Sequence, residues 1–152
     1  MSKRKLEFDI PLEPVAQGRP RFATRGKFTT AYDPPKSKKY KDTIKQMIKS
    51  TTPPKMLEGP LFVELTFYRN IPKSFSKKER AAALAGTMLP TQKPDVDNYA
   101  KAILDAISGY FFHDDNQISD LVCRKRYSDN PRTHVVLREK QVSKPEQIAL
   151  EI

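Results

Sequence analysis

The stretch from Lys93 to Ile118 constrains the fold more than any other part of this chain. It reads KPDVDNYAKAILDAISGYFFHDDNQI, with a pair of aspartates near each end and apolar residues at helical spacing between them. This spacing predicts a helix from about Asn98 to Ser108 that Asp97 caps and Gly109 ends. Its buried stripe is expected to consist of Tyr99, Ala102, Ile103, Ala106 and Ile107. One short helix therefore separates two acidic clusters.

These acidic clusters stand out against the charge of the whole chain. The 152 residues include 28 Lys and Arg against 18 Asp and Glu, a net charge of +10, which favours a polyanionic partner such as nucleic acid. Asp95 with Asp97, and Asp114 with Asp115, must be solvated, paired or used to hold a cation. Carboxylate oxygens suit Mg²⁺ better than softer metals. Each cluster also has a structural interpretation, as acids at a helix N-terminus and as a turn.

The polar side of the predicted helix carries Lys101, one turn after Asp97. A lysine beside carboxylates is suited to offsetting the charge that grows when a phosphodiester is hydrolysed. Asp105 is expected to pair with Lys101 rather than bind a metal, because the two are four residues apart. A cation site further requires the turn after the helix to bring Asp114 or Asp115 back beside Asp95. His113 is a weaker candidate for a general base.

Other metal sites and locations are disfavoured by what the chain lacks. With one cysteine and two histidines, the usual zinc ligand sets are missing. An EF-hand loop starting at Asp95 fails, because Ala100 and Ala106 stand where glycine and glutamate are required. Cys123 is expected to be a small buried hydrophobe. No apolar run is long enough to span a bilayer and no signal peptide is evident, so we expect a cytoplasmic protein without a membrane partner.

The remaining elements predict an α+β or α/β fold, a single domain with one mixed β-sheet flanked by helices. The expected order is strand, basic hairpin, helix, strand, helix, helix and two strands. The strands are expected over Leu6 to Leu12 at a sheet edge, Leu61 to Arg69, Gln117 to Tyr127, and His134 to Glu139 as partner of the strand before it. The other helices are expected from about Lys38 to Ser50, capped by Ser37, and from Ser76 to Gly86.

Basic residues in three places are candidates for binding DNA. Near the N-terminus they alternate with Phe22, Phe28 and Tyr32, a mixture able to hold phosphates and stack on bases, although a solvated hairpin explains it equally well. A second group lies at the C-terminal end of the strand after the acidic stretch, and the third place is Lys93 at the start of that stretch. The candidates are Arg19, Arg21, Arg25, Lys27, Lys93, Arg124, Lys125 and Arg126.

The run KPDVDNYAKAILDAISGYFFHDDNQI closely resembles the signature of RusA-type Holliday junction resolvases, and the QGRPRF stretch and the strand around Val63 do so more loosely. The resemblance implies a small endonuclease of a phage or prophage, acting as a homodimer with Mg²⁺. It implies that Asp95, Asp97 and Asp115 are metal-binding catalytic carboxylates and Lys101 is the catalytic lysine, with Asp114 a further candidate ligand. It also implies a RusA-like domain at residues 1–140 and a tail at 141–152.

We therefore predict a Mg²⁺-dependent endodeoxyribonuclease, with Mn²⁺ as a substitute metal and no small-molecule cofactor. Its substrate is expected to be branched DNA, especially four-way junctions, which it would resolve by paired hydrolysis in recombination or repair. Two-fold DNA favours a two-fold protein, since a homodimer presents identical sites to opposing strands. In a phage-encoded protein the location would be the cytoplasm of the bacterial host. The alternatives are a non-catalytic nucleic-acid-binding protein and a nuclease for flaps or other branched DNA.

Overall fold

The computed structural model describes residues 3–18, 21–32 and 34–141. The order of its elements is the predicted one, and a single turn of 3-10 helix is added before the last two strands. The strands are β1 Lys5–Ile10, β2 Arg21–Arg25, β3 Phe28–Tyr32, β4 Leu61–Asn70, β5 Ile118–Ser128 and β6 Arg132–Glu139. The helices are α1 Pro35–Ile48, α2 Lys77–Ala85 and α3 Val96–Ile107, and the 3-10 turn is Asp115–Gln117.

The main sheet is mixed, as predicted, with the strand order β1-β6-β4-β5. β4 is parallel to β5 and antiparallel to β6, and β1 is an edge strand that pairs only with β6. The prediction that β5 and β6 pair with each other is wrong, because β4 lies between them. The three residues between β5 and β6 are enough for a hairpin. β4, which buries more apolar side chains than any other strand, nevertheless lies between them and is paired on both of its edges.

One face of β4 supplies the centre of the hydrophobic core, as its alternation predicts. Val63, Leu65 and Phe67 are fully buried, whereas Phe62, Glu64 and Tyr68 on the other face are partly exposed. The amphipathic helices α1 and α3 pack on the buried face, and the ring of Tyr99 stacks on Phe67 at 5.1 Å. The predicted buried stripe of α3 is confirmed, because all five of its residues lie in this core.

The boundaries of two helices differ from the prediction. α3 begins at Val96 with Asp95 at its N-cap position, so the prediction that Asp97 is the cap is wrong, and Asp97 lies in the first turn. α1 begins at Pro35, before the predicted cap Ser37. Ser37 is instead buried, and its Oγ accepts a hydrogen bond of 3.0 Å from the backbone N–H of Gly18. The serine thus joins α1 to the preceding loop.

The helix α2 begins and ends where the sequence predicts. Ser76 and Glu79 form a reciprocal capping box at its start, and Gly86 ends it in the left-handed conformation at φ 79°. The predicted basic hairpin is β2–β3, which forms a two-stranded sheet of its own in addition to the mixed four-stranded sheet. Its aromatic side chains are exposed: Phe22 by 69%, Phe28 by 77% and Tyr32 by 46%.

Some predictions concern residues outside the part of the chain that the structure describes. They are the DNA-binding candidate Arg19 and nearly all of the predicted tail, residues 142–152. Within the described ranges, no helix combines the length and the apolar character needed to cross a membrane.

Candidate active site

The loop before α3 is anchored through its backbone. The Arg69 guanidinium donates hydrogen bonds of 3.1 Å to the carbonyls of Gln92 and Lys93. The Lys125 amine donates to the carbonyls of Gln92 and Pro94 at 3.0 and 3.1 Å. These contacts fix the position at which α3 begins, and with it the first acidic pair.

The carboxylates of that first pair, Asp95 and Asp97, are exposed to solvent. Asp95 occupies the N-cap position but its side chain makes no capping hydrogen bond, and within the described residues neither carboxylate has an ion-pair partner. Asp97 lies close enough to β5 for its charge to act on Cys123. Burial, and then the negative charge of Asp97, raise the pKa of the Cys123 thiol. Cys123 packs against the core as a half-buried side chain.

Further along α3, Asp105 lies between two lysines. Its Oδ2 is 3.9 Å from the Lys101 amine, which confirms the predicted pair, and 3.8 Å from the Lys41 amine of α1. Lys41 is 8% exposed, and its amine also donates a 3.0 Å hydrogen bond to Oε1 of Gln17. A buried ammonium requires such polar partners, because desolvation of an unpaired charge is costly. Lys101 itself remains mostly exposed to solvent.

The second acidic pair lies in a turn that Gln117 holds in place. Its side-chain oxygen accepts hydrogen bonds from the backbone N–H groups of His113 and Asp114 at 2.7 and 3.2 Å. Its side-chain nitrogen donates to the carbonyls of Leu57 and Gly59 at 3.2 and 3.1 Å. Gln117 therefore ties the turn to the loop that leads into β4. The 3-10 turn itself is closed by the reciprocal capping of Asp114 and Gln117.

The carboxyl groups of Asp114 and Asp115 interact with each other directly. The hydrogen bond with Asp114, partial desolvation and the negative charges of Asp114 and Asp105 raise the pKa of Asp115, and the Lys101 charge opposes this rise. The same side-chain hydrogen bond, followed by the backbone N–H of Asn116, lowers the pKa of Asp114. The two carboxylates are thus a coupled pair, in which the charge of one opposes ionisation of the other. The structure brings together Asp105, Asp114 and Asp115 around one cleft, and Lys101 is joined to this group through its ion pair with Asp105.

A metal ion fits the chemistry of these donors but has no preformed cage. All four predicted ligands are carboxylates, the donors preferred by Mg²⁺, and two of them form a like-charged pair. Across the described ranges, however, no three His, Cys, Asp or Glu side chains form a group that could hold a metal ion. The predicted convergence of three carboxylates is therefore not present in this arrangement. Mg²⁺ is commonly held by one or two carboxylates together with substrate phosphates, which fits the Asp114–Asp115 pair.

The candidate DNA-binding residues are spread over several elements. Arg21 and Arg25 are the first and last residues of β2, and Lys27 is exposed at the turn of the hairpin. Lys93 is exposed beside the first acidic pair. On β5, Arg124 forms a 2.8 Å ion pair with Glu64.

The remaining two basic candidates on β5 contact the backbone. Lys125 holds the loop before α3, and the Arg126 guanidinium donates to the Lys125 carbonyl at 2.8 Å. The basic end of β5 therefore has partners within the protein. His113 likewise has a partner, since its Nε2 is 2.9 Å from Oε1 of Glu58.

Three residues that position the site were not predicted from the sequence: Gln17, Lys41 and Gln117. Gln117 had a detectable signal, because the spacing of Asp114 and Gln117 is that of a capping box. Gln17 lies in the QGRPRF stretch, but its contacts to Lys41 and to the Asn98 carbonyl join distant parts of the chain. No local pattern in the sequence indicates such contacts.

Two comparisons with known proteins show which family the chain belongs to. Residues 11–138 match the protein family described as Endodeoxyribonuclease RusA. The chain is also 40% identical over 136 residues to a protein of Bacillus subtilis (strain 168) described as uncharacterized protein YqaN. The aligned residues make up 88% of this chain and 96% of that protein.

The chain is a basic α+β domain whose acidic site includes a lysine. The family match places it in the class of endodeoxyribonucleases. More particularly, the chain is a member of the RusA family, as its acidic signature predicts, and this family acts on branched DNA junctions.

Proposed function

We propose that this protein is a Mg²⁺-dependent endonuclease that resolves four-way DNA junctions by paired hydrolysis of phosphodiester bonds. The observation that carries the proposal is a cleft lined by Asp114, Asp115 and Asp105, the last of which pairs with Lys101, in a family member with a net charge of +10. A strongly basic surface attracts DNA, whereas a local concentration of carboxylates repels it unless a cation is present. A basic surface with one local acidic site therefore suits an enzyme that cleaves DNA at that site better than a protein that only binds DNA.

Each residue of the site has a proposed role. Asp95, Asp97 and Asp115 are the proposed metal ligands, with Asp114 as a further ligand. Because the two pairs do not form one group of metal-binding side chains within the described residues, we propose that each pair holds a cation together with substrate phosphates. Bound there, Mg²⁺ would supply polarisation of a phosphoryl oxygen and activation of a water molecule.

Lys101 is the proposed catalytic lysine. Its ammonium is suited to stabilising the charge that develops on the phosphate in the transition state. Asp105 restrains the direction of the Lys101 amine through their ion pair. Because the Asp105 carboxylate is shared with the buried Lys41, it is fixed from both sides.

The proposed active form is a homodimer. The two strands to be cut in a four-way junction are related by a two-fold axis, so two identical sites in a C2 dimer can address them together. One nick would leave the junction connected, whereas two symmetric nicks resolve it. Sedimentation equilibrium with and without a junction tests this part of the proposal, and a monomer in both conditions would refute it.

The proposed activity is tested by incubating a labelled four-way junction with the wild-type protein and with Asp95→Asn and Asp97→Asn in Mg²⁺. We expect both variants to lose cleavage while binding the junction at least as well as the wild type, because a charge that repels phosphate is removed. Normal cutting by either variant would refute the assignment of that carboxylate. Three-way and flap substrates, tested in parallel, distinguish a junction resolvase from a nuclease for other branched DNA.

A second candidate function is DNA binding without catalysis. It is favoured by one observation, namely that no group of three metal-binding side chains is assembled within the described residues. In this case the acids serve only as a helix start and a turn. Intact strands at saturating wild-type protein, in both Mg²⁺ and Mn²⁺, would favour the binding protein over the nuclease.

A further inference from the structure

Three lysines of α1 form a stripe on one side of the helix. Lys38, Lys41 and Lys45 are separated by three and four residues, a spacing that places side chains on the same helix face. Seven residues of helix correspond to about 10 Å. This is close to three times the rise of about 3.4 Å per phosphate along one strand of B-form DNA. The stripe thus has the length of a short stretch of DNA backbone.

This lysine stripe lines a cleft of about 600 Å³ that also contains the second acidic pair. One wall is α1, and the other is formed by the end of α3 and the turn after it. The lining residues are Lys38, Lys41, Asp42, Lys45, Asp105, Ser108, Asp114 and Asp115. The four aspartates outnumber the three lysines, so the cleft has a negative net charge when all are ionised, although the protein as a whole is strongly positive.

The lysines of the stripe differ in their surroundings. Lys41 is buried against Gln17 and Asp105, and the Lys38 amine is 2.9 Å from Oδ2 of Asp42. For Lys45, no hydrogen-bond or ion-pair partner lies within the part of the chain that the structure describes. Lys45 is therefore the member of the stripe best placed to contact a phosphate without first losing a protein contact.

We propose that this cleft is a phosphate subsite that accepts the DNA backbone next to the cleavage position, with Lys45 as its principal contact, only when a divalent cation offsets the aspartates. The inference rests on the proposed function and adds to it a DNA contact outside the signature stretch. Without the cation, a phosphate entering the cleft meets Asp114 and Asp115 as well as Lys45, and the attraction and repulsion oppose each other. With the cation bound, the repulsion from Asp114 and Asp115 is offset and the attraction to Lys45 outweighs what remains.

The contribution of Lys45 to DNA affinity should therefore depend on the cation. The experiment measures binding of a fluorescent four-way junction by anisotropy, in Ca²⁺ and in EDTA, for the wild type and for Lys45→Ala. Lys39→Ala is the matched control, because Lys39 lies on the same helix and carries the same charge but does not line the cleft. Melting curves verify that each variant is folded.

We expect Lys45→Ala to weaken binding about 5- to 10-fold in Ca²⁺ and less than about twofold in EDTA, as expected for one phosphate contact. Lys39→Ala should have the same small effect in both buffers. In an Asp115→Asn background, which lacks one of the repelling charges, the loss caused by Lys45→Ala should appear in EDTA as well. The salt dependence of binding in Ca²⁺ should fall by about one ion for Lys45→Ala alone.

Equal losses for Lys45→Ala and Lys39→Ala in Ca²⁺, or an equal Lys45→Ala loss in both buffers, would overturn the cation-dependent subsite. Failure of the wild type to bind the junction in Ca²⁺ would overturn it as well. Failure of the proposed function has a different signature: the wild type leaves every junction intact in Mg²⁺, whatever the binding measurements show. The two inferences can therefore fail separately.

Discussion

The two ends of α3 hold their aspartates in contrasting ways. At the N-terminal end, the side chains of Asp95 and Asp97 are exposed. The backbone before them is held in place by Arg69 and Lys125, which donate hydrogen bonds to its carbonyl groups. At the C-terminal end, Gln117 holds the second pair in a turn, and the Asn116 side chain donates a hydrogen bond to Asp114. About 18 Å of helix, 12 residues, lies between the two ends.

This contrast has an electrostatic consequence. Acids at a helix N-terminus are stabilised by the helix dipole, by about 0.3–1 kcal/mol each, and Asp97 lies in the first turn of α3. Asp114 and Asp115 instead repel each other and are near a third acid, Asp105. The first pair is thus compatible with the fold without a cation, whereas the second pair is under electrostatic strain that a cation relieves. Catalysis by the proposed mechanism requires both.

The largest effect is expected from removing a charge at the C-terminal end. Asp115→Asn should reduce junction cleavage at least about 100-fold in Mg²⁺, because a proposed metal ligand is lost where charge develops in the transition state. Single-turnover cleavage measures this effect. Asp120→Asn is the control, because Asp120 is an exposed β5 aspartate that pairs with Lys140 at 2.6 Å, and it should cut like the wild type. Full activity of Asp115→Asn would leave the N-terminal pair as the only acidic site.

A smaller effect is expected from loosening the turn without changing its charge. Gln117→Ala removes two accepted and two donated hydrogen bonds, so we expect a loss of about 2 kcal/mol in the free energy of unfolding and about tenfold in cleavage. Urea denaturation and single-turnover cleavage measure the two losses.

The matched control for this substitution is Asn116→Ala, which removes only the side-chain contact of Asn116 to Asp114. It should cost less than half as much stability. If both variants lose equal stability, Gln117 is not what fixes the C-terminal end of the site.

The parts of this architecture that follow from local patterns could be predicted from the sequence. The buried faces of β4 and α3, the capping box of α2 and the pairing of Lys101 with Asp105 depend on residues within a few positions of each other. The overall order of elements follows from the same signals. Both acidic clusters also lie within one continuous stretch, Lys93 to Ile118, which is why the family could be identified from that stretch.

The parts that depend on distant contacts could not be predicted. No local sequence pattern indicates that β6 pairs with β4. None indicates that Lys125, a predicted DNA contact, instead donates hydrogen bonds to the loop before α3. The start of α3 was misplaced because Asp95 and Asp97 are equally good caps by residue type. The burial of Lys41 against Gln17 likewise requires two segments that only the fold brings together.

The smallest expected effect reports on the N-terminal end alone. The thiol of Cys123 has a pKa raised by burial and by the charge of Asp97, so Asp97→Asn should lower this pKa in metal-free buffer. At pH 8, below the ordinary thiol pKa of about 8.5, a lower pKa increases the thiolate fraction, which is the reactive form. We expect alkylation of Cys123 by iodoacetamide, followed by mass spectrometry, to accelerate about two- to threefold.

Asp115→Asn provides the control for this measurement, because Asp115 does not contribute to the raised pKa of Cys123. It should leave the alkylation rate unchanged. An unchanged rate in Asp97→Asn would mean that its carboxylate does not lie near the sulfur, and the N-terminal pair would then be displaced from β5. Equal acceleration by both substitutions would mean that the two ends of α3 share one electrostatic environment, which removes the distinction between a backbone-positioned pair and a strained one.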